Sequence, residues 1–341
     1  MLIFRLLGFR VLSKKDVVEN ILAKKNKSPA HPVALCFAPS NIALAKYWGK
    51  RNTELNLPMN SSLSISLQHR GATAQLEMRS ISHKLIINDE DVDLNSQHGQ
   101  RLCHFLDLFQ FKTHAFYQVR LNVNIPFAAG LASSACVFAS LVLALNQLHQ
   151  WQLTTTELSI LSRLGSGSAA RSVTTGFVEW HAGRDQNGMD SFAEKIPISW
   201  PDFCIGLCIY HHTEKSVSSR EGMQRTVATS PLYDRWPSCA EQAVQRLKIA
   251  IAKKDITLLG ETAENNALTM HATMLSAWPP LLYSTTETIT GMQHVWQLRT
   301  AGIPVYFTQD AGPNLKILSL KEHIKKITPQ FPHIEWAHPF D

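Results

Sequence analysis

The stretch Asn124-Ile-Pro-Phe-Ala-Ala-Gly-Leu-Ala-Ser-Ser-Ala135 decides how this chain folds. Ahead of it, residues 118–125 alternate polar and apolar, the period of a half-buried strand. Pro126 stops a hydrogen-bonded ladder, and Ala128, Ala129, Gly130, Ala132, Ser133, Ser134 and Ala135 are all small. Residues 136–148 are apolar on nearly every side, which predicts a buried helix. A strand, a small-residue turn and a helix can hold phosphate without a dedicated cation. The first-turn N–H groups are unpaired, the helix dipole is positive there, and small side chains let phosphate oxygens reach the backbone. The spacing is neither G-x-x-x-x-G-K-[ST] nor G-x-G-x-x-G. The same pattern also serves close packing, so taken alone it leaves both uses open.

Around this centre, 341 residues suffice for large cores and two domains. Apolar residues make up 45% and charged residues 18%, the balance of an ordinary folded chain rather than a disordered one. The net charge of +6 favours anionic ligands and is spread along the sequence, apart from short clusters such as Lys24-Lys25-Asn26-Lys27. No aromatic-and-basic stripe marks a nucleic-acid surface. The six cysteines form no C-x-x-C pair, which suits buried thiols in a reducing cytoplasm better than disulfides or zinc. Fifteen histidines include no H-E-x-x-H, so no metal site is expected. No apolar run reaches the ~18 residues of a membrane span. Residues 1–12 are apolar but broken by Arg5 and Arg10, and lack the cleavage site of a secretory signal. They read as a poorly ordered extension or an amphipathic surface helix.

Along the chain, strands are predicted over 33–37, 63–67, 73–78, 84–88, 176–181, 203–210, 303–308 and 315–319. The 73–78 and 84–88 pair reads as a hairpin. Helices are predicted over 98–109, 157–164, 238–251, 256–273 and 283–301, with Thr154-x-x-Glu157 as a capping box. Residues 183–201 are rich in loop formers and mark a boundary. The expected division is an extension over 1–32, a first domain over 33–195 and a second over 196–341, an α+β arrangement.

Three further groups could carry chemistry. Lys46, Tyr47, Lys50 and Arg51 are close in sequence and would suit a polyanion, though they read equally as a solvated basic turn. Arg171 sits in Leu164-Gly-Ser-Gly-Ser-Ala-Ala-Arg-Ser172, where a guanidinium could bind a carboxylate bidentately beside Ser166, Ser168 and Ser172. Asp310 ends a strand before Ala-Gly-Pro. It could accept a hydroxyl proton or hold the hydroxyl in line, or simply make an Asx turn.

Pro126-x-x-x-Gly-Leu-Ala-Ser-Ser-Ala135 resembles the phosphate loop of the GHMP kinase superfamily, in the form found in diphosphomevalonate decarboxylases. Asn41-Ile-Ala-Leu-Ala-Lys-Tyr-Trp-Gly-Lys-Arg51 with Leu57-Pro-Met-Asn-Ser-Ser-Leu-Ser64 resembles the N-terminal signature of that family. So do Ser166-Gly-Ser-Ala-Ala-Arg-Ser172, Val217-Ser-Ser-Arg-Glu-Gly-Met223, Met270-His-Ala-Thr273 and Asp310-Ala-Gly-Pro-Asn314. All six occur in the family's order over roughly residues 33–330.

The resemblance implies the two-domain GHMP kinase fold, with a ribosomal S5 domain 2-like first domain and a ferredoxin-like second. It implies ATP-dependent decarboxylation of 5-diphosphomevalonate to isopentenyl diphosphate with Mg2+, by a cytoplasmic homodimer. Asp310, Arg171 and Lys46 would be catalytic, with Arg171 on the substrate carboxylate. Asn41, Tyr47, Trp48, Gly49, Lys50, Ser166, Gly167, Ser168, Ala169, Ala170, Ser219 and Arg220 would bind substrate. Ala129, Gly130, Leu131, Ala132, Ser133 and Ser134 would take the ATP phosphates. Eukaryotic-type members carry an arginine near position 98, for which His98, Arg101 or Arg220 would stand in. Gln309 occupies a position where phenylalanine or methionine is common, and Ala170 one where cysteine is. A relative acting on the monophosphate, a kinase of the 3-hydroxyl, and a catalytically silent sensor on the same fold are the competing expectations.

Overall fold

The computed structural model describes residues 12–110, 116–125, 133–210 and 217–341. Its longest strand, β4 (Ser62–Arg79), organises the first half. Eighteen residues give it room for different partners along its length. It pairs antiparallel with β1 (Val33–Ala45) along one edge, and with β7 (Phe116–Val123) and then β8 (Phe177–Trp180) along the other. With β5 (Lys84–Ile87), β6 (Glu90–Asp91) and β9 (Ala193–Ile196) these make a seven-stranded sheet in the order β6-β5-β7-β4-β8-β9, β1 lying off that path. Between β1 and β4 the short β2 (Lys50–Asn52) and β3 (Leu57–Pro58) form a separate ribbon.

The hairpin predicted over 73–78 and 84–88 does not form. Ala72–Arg79 already has β7 on one edge, with β1 opposite Ala72–Glu77 on the other. The residues of β5 therefore pair parallel with the outer edge of β7, Lys84 opposite Gln118. The segments expected separately at 63–67 and 73–78 are one strand, because the ladder continues past Gln68 at positive φ and a bulge between Pro39 and Asn41.

Helix α3 (Ser133–His149) packs across β1 and β4, as its all-round apolar sequence requires. Alongside it run α2 (Gln97–Asp107) and α4 (Thr155–Gly165), the latter opened by the Thr154–Glu157 capping box. The segment before residue 33 is not simply an extension. It carries α1 (Lys14–Ile21), whose Val17, Val18 and Ile21, with Leu22, are buried in the main core. Its eight residues escaped the sequence reading because only one short face is apolar.

In the second half, β10 (Phe203–Cys208), β11 (Tyr306–Gln309), β12 (Leu315–Leu320) and β13 (Glu335–Ala337) form an antiparallel sheet ordered β11-β12-β10-β13. Helices α5 (Ser219–Thr229), α6 (Trp236–Lys253), α7 (Ile256–Leu275) and α8 (Thr286–Thr300) complete it. Helix α7 packs on both β11 and β1, and α6 on β1 and β4. Val244, Leu247, Ile251 and Leu259 consequently share one core with the first sheet. This contact explains β1, where alternation ends at Phe37 and Ala38–Ala45 are all buried. The end of β1 thus delivers residues 46–50 to the junction of the two halves. Among the described residues no helix is long and apolar enough to cross a membrane.

Candidate active site

Two small-residue loops meet at the start of α3 and the end of α4. Ser134 Oγ lies 3.1 Å from Ser166 Oγ, which is 3.3 Å from Ser168 Oγ. Ala129, Gly130, Leu131 and Ala132 lie outside the described residues, and Ser133 is described only as the first backbone residue of α3. After Ser166 the chain makes a 3-10 turn over Gly167–Arg171. Gly167 is required there, because a Cβ would stand 2.8 Å from the Tyr47 hydroxyl and ring.

Asp310 leaves the end of β11 toward this junction. Its Oδ1 accepts a 2.7 Å hydrogen bond from Lys46 Nζ, and its Oδ2 lies 3.0 Å from Lys316 Nζ. Both lysines are almost completely buried, while the carboxylate side chain keeps 24% exposure. Burial alone would raise the Asp310 pKa. The Lys316 and Lys46 ammonium groups outweigh it and hold the carboxyl well below the usual range. Lys46 is pulled down to about 8, chiefly by burial, with Asp310 opposing the fall. Its position is fixed by Asn266, whose Oδ1 accepts from the Lys46 N–H at 2.8 Å, and by the Ala43 carbonyl, which accepts from Nζ at 2.8 Å. The Asp310 carbonyl lies 3.1 Å from His271 Nε2 on α7, and burial drives that imidazole to about 4, keeping it neutral.

Gln309, adjacent to the acid, turns its amide the other way. Its Nε2 donates to the Gly312 carbonyl at 2.8 Å and to Ser284 Oγ at 3.1 Å. Alternation along β11 separates the two side chains, so the polar neighbour does not touch the carboxylate.

Arg171 is buried. Its Nε and Nη2 donate to Asn41 Oδ1 at 3.4 and 3.2 Å, and Nη1 donates to Ser62 Oγ. Asn41 is oriented in turn by donating to Ser172 Oγ at 2.7 Å. No carboxylate bonds the guanidinium directly among the described residues; Asp310 acts on it through space. Tyr47 stacks edge-on against Trp180 at 4.9 Å, and its buried hydroxyl has no hydrogen-bond partner among the described residues. An orphaned hydroxyl beside the serine loop suits an incoming ligand oxygen.

Lys50, Arg101 and Arg220 gather at the remaining side. Lys50 Nζ donates to Asn56 Oδ1 at 2.6 Å, and Arg101 Nη2 to the Gly165 carbonyl at 3.0 Å. Of the three residues proposed for the arginine of eukaryotic-type relatives, Arg101 and Arg220 act on Lys50, while His98 is exposed on α2. Burial and the neighbouring cations Arg220, Lys14 and Arg101 bring Lys50 down to about 8.

The remaining expected site residues lie around this group. Trp48 is 2% exposed and packs with Met223, Tyr233, Trp236 and Met270 from the second half. Its carbonyl accepts from Tyr233 Oη and Trp236 Nε1, both at 2.9 Å. Ala169 and Ala170 are fully buried, Ala170 against Val178 and Trp180. Ser219 and Arg220 begin α5, capped by Ser218, whose Oγ accepts from the Glu221 N–H at 3.2 Å.

Residues 38–193 match the family model for the diphosphomevalonate decarboxylase-like N-terminal domain, and residues 205–337 that for the mevalonate 5-diphosphate decarboxylase C-terminal domain. The chain belongs to the diphosphomevalonate decarboxylase family. It is 38% identical to diphosphomevalonate decarboxylase of Aspergillus fumigatus, over 84% of this chain and 76% of that one. The Saccharomyces cerevisiae enzyme is 35% identical over 85% and 78%. Mevalonate diphosphate decarboxylase of Staphylococcus aureus superposes with a TM-score of 0.84 at 34% identity, covering 90% of this chain and 95% of that one. A structure described as MDDEF in complex with MVAPP, AMPPCP and magnesium superposes at 0.83, with 37% identity over 90% and 97%. The mixed α+β fold in two domains is that of the mevalonate diphosphate decarboxylase structures.

Within this decarboxylase site, Lys316 and Asn266 were not singled out from sequence, while His271 appeared only inside the Met270-His-Ala-Thr273 motif. Lys316 had a signal: it is the one cation inside the otherwise apolar run 315–318, where a lysine is buried only if paired. Asn266 carried none, since an asparagine within a helix gives no hint of its partner.

Proposed function

We propose that this chain catalyses the ATP-dependent decarboxylation of 5-diphosphomevalonate to isopentenyl diphosphate, with ADP, phosphate and CO2 as the other products. The observation that carries this reading is the Asp310 carboxylate, pinned by Lys46 and Lys316 and acting through space on the buried Arg171. The same reading divides the chain into domains over 33–195 and 196–341, and makes it a cytoplasmic homodimer.

The chemistry follows from the groups present. A carboxylate held at so low a pKa is a weak base, so Asp310 cannot remove a hydroxyl proton in advance. It can hold the 3-hydroxyl in line, and take the proton as the oxygen bonds to the γ-phosphorus of ATP and becomes acidic. Lys46 and Lys316 keep Asp310 ionised and oriented throughout. The three hydrogen bonds of Arg171 leave part of its guanidinium fork for the substrate carboxylate. Asn41 and Ser62 fix that fork. When the C3–O bond breaks, phosphate leaves with its electrons, and the electrons of the C–CO2 bond form the alkene. Ser133 and Ser134, with the backbone of residues 129–132, would take the ATP phosphates. Tyr47, Lys50, Ser166, Ser168, Ser219 and Arg220 would take the substrate.

Magnesium fits as a companion of the nucleotide. Ser134 and Ser166 bring hard hydroxyl oxygens together where the phosphates would lie. When bound, the ion neutralises phosphate charge.

The test supplies purified protein and MgATP with mono- and diphosphomevalonate separately, measuring ADP and CO2. Equal amounts of both from the diphosphate are expected. CO2 from the monophosphate alone, ADP without CO2, or neither product would each replace this reading with one of its rivals.

A further inference from the structure

Strands β11 and β12 close on the pair Gln309 and Leu315, so Asp310-Ala-Gly-Pro-Asn314 is the connection of a hairpin. Past that pair no ladder holds the backbone, yet the loop is tied at successive points. The Asp310 carbonyl accepts from the Gly312 N–H at 2.7 Å and lies 3.1 Å from His271 Nε2 on α7. A carbonyl only accepts, so that nitrogen carries the ring proton. The Pro313 carbonyl accepts from Thr288 Oγ1 on α8 at 2.6 Å, and Asn314 Oδ1 from the Tyr210 N–H at 2.7 Å.

Between these ties stands the buried Gly312, whose carbonyl accepts from Gln309 Nε2 at 2.8 Å. The same amide nitrogen reaches Ser284 Oγ, 3.1 Å away in the connection from α7 to α8, and that hydroxyl lies 3.4 Å from Gln309 Oε1. Gln309 is 1% exposed, and a buried amide is costly unless its hydrogen bonds are made. Its side chain therefore braces the loop that its own strand opens. Lys46 and Lys316 fix the carboxylate oxygens of Asp310, but not the backbone from which that side chain springs. With no donor at 309 the Gly312 peptide is free to turn, and its N–H leaves the Asp310 carbonyl. A group that must meet a hydroxyl in line tolerates little of this, since a shift of about 1 Å can cost about 10²-fold.

We infer that Gln309 is a positioning residue for Asp310: its amide, anchored on Ser284, holds the Gly312 peptide and through it the backbone that aims the carboxylate. This rests on the decarboxylase reading for what Asp310 does, and on the hydrogen bonds alone for the brace. Because Gln309 acts through the loop, its loss slows the chemical step and leaves binding intact.

The test is Gln309→Met in the full chain, a side chain of similar length without an N–H, beside Ser284→Ala and the double variant. For Gln309→Met, kcat should fall about ten-fold, with KM for diphosphomevalonate and for ATP within about two-fold. Ser284→Ala, the milder change, should lower kcat about three-fold and cost nothing further in the Gln309→Met background. Unchanged kcat in Gln309→Met, a loss carried by KM, or strict additivity of the two substitutions would overturn the proposal. Amide hydrogen exchange in protein labelled at its glycine nitrogens gives a readout without turnover. The Gly312 N–H should exchange about ten-fold faster in Gln309→Met, and faster in Ser284→Ala too, while Gly206 within β10 keeps its rate. Equal Gly312 rates, or an equal rise at Gly206, would reject the brace. If wild type releases no CO2, the decarboxylase reading fails, while the exchange measurement still decides whether Gln309 holds the loop.

Discussion

Lys46 and Asp310 are separated by 264 positions in sequence and by 2.7 Å in space. The pair joins the end of β1 to the end of β11, so it forms only when both halves are folded and docked. Because Lys316 holds the second carboxylate oxygen at 3.0 Å, Asp310 is fixed as an anion. Asp310→Asn should therefore lower kcat by at least about 10²-fold, the scale of a positioned acid–base group. Nucleotide titration should show ATP binding retained. CO2 release near the wild-type rate would remove Asp310 from the chemistry.

Lys316→Met tests the second ammonium separately. With one cation gone, burial weighs more and the Asp310 pKa should climb by about one unit or more. The sign follows from the depressed folded pKa. The stability Asp310 contributes is present above its unfolded value and lost as pH falls through its folded value. In Lys316→Met that loss, and the acid limb of kcat, should move to higher pH. Superimposable profiles in acid would show that Lys316 does not tune Asp310.

Arg171→Lys should cost at least about ten-fold in kcat/KM. An ammonium cannot donate to Asn41 and Ser62 while offering a planar fork to a carboxylate. Asn41→Ala, which frees the fork without removing charge, should give a smaller loss in the same parameter. Kinetics of Arg171→Lys equal to wild type would mean that the carboxylate is bound elsewhere.

How much of this was legible follows from the range of each interaction. The α3 helix was readable because its signal lies within a dozen residues, whereas the serine loop and Asp310 were left open by their own residues and stood out only through the family resemblance. The partner of β5 was not readable, since it depended on β4 having neighbours on both edges. Trp48 and Ala170 belong to the family's motifs and are buried, Trp48 against the second half and Ala170 against Val178 and Trp180, packing that no local pattern around either residue specifies. Lys316 was legible only as an anomaly, a cation in an apolar strand whose partner precedes it by one turn of chain.

Two lysines titrate early. Lys46 and Lys50 are each lowered to about 8, so kcat/KM for the diphosphate should fall above about pH 8 as they lose their protons. Lys50→Arg, whose guanidinium stays charged, should raise the part of the limb due to Lys50. Stability moves oppositely. Between about 8 and 10.5 the unfolded lysines hold protons that the folded ones have released, so stability contributed by these groups rises with pH there. A kcat/KM profile flat to pH 10 would contradict both depressed values.

Gly49 sits where β1 has handed the chain to the junction, at φ +106. A Cβ there would lie 1.7 Å from Tyr233 Oη, the hydroxyl that donates to the Trp48 carbonyl. Gly49→Ala thus combines backbone strain with displacement of an interdomain hydrogen bond, and should cost about 2–4 kcal/mol. Tyr233→Phe with Gly49→Ala removes the clashing oxygen and should recover part of that loss, leaving the strain. Thermal unfolding of the two single variants and the double closes the cycle. Strict additivity would mean that the Gly49 requirement comes from φ alone, and that the hydroxyl clash contributes nothing.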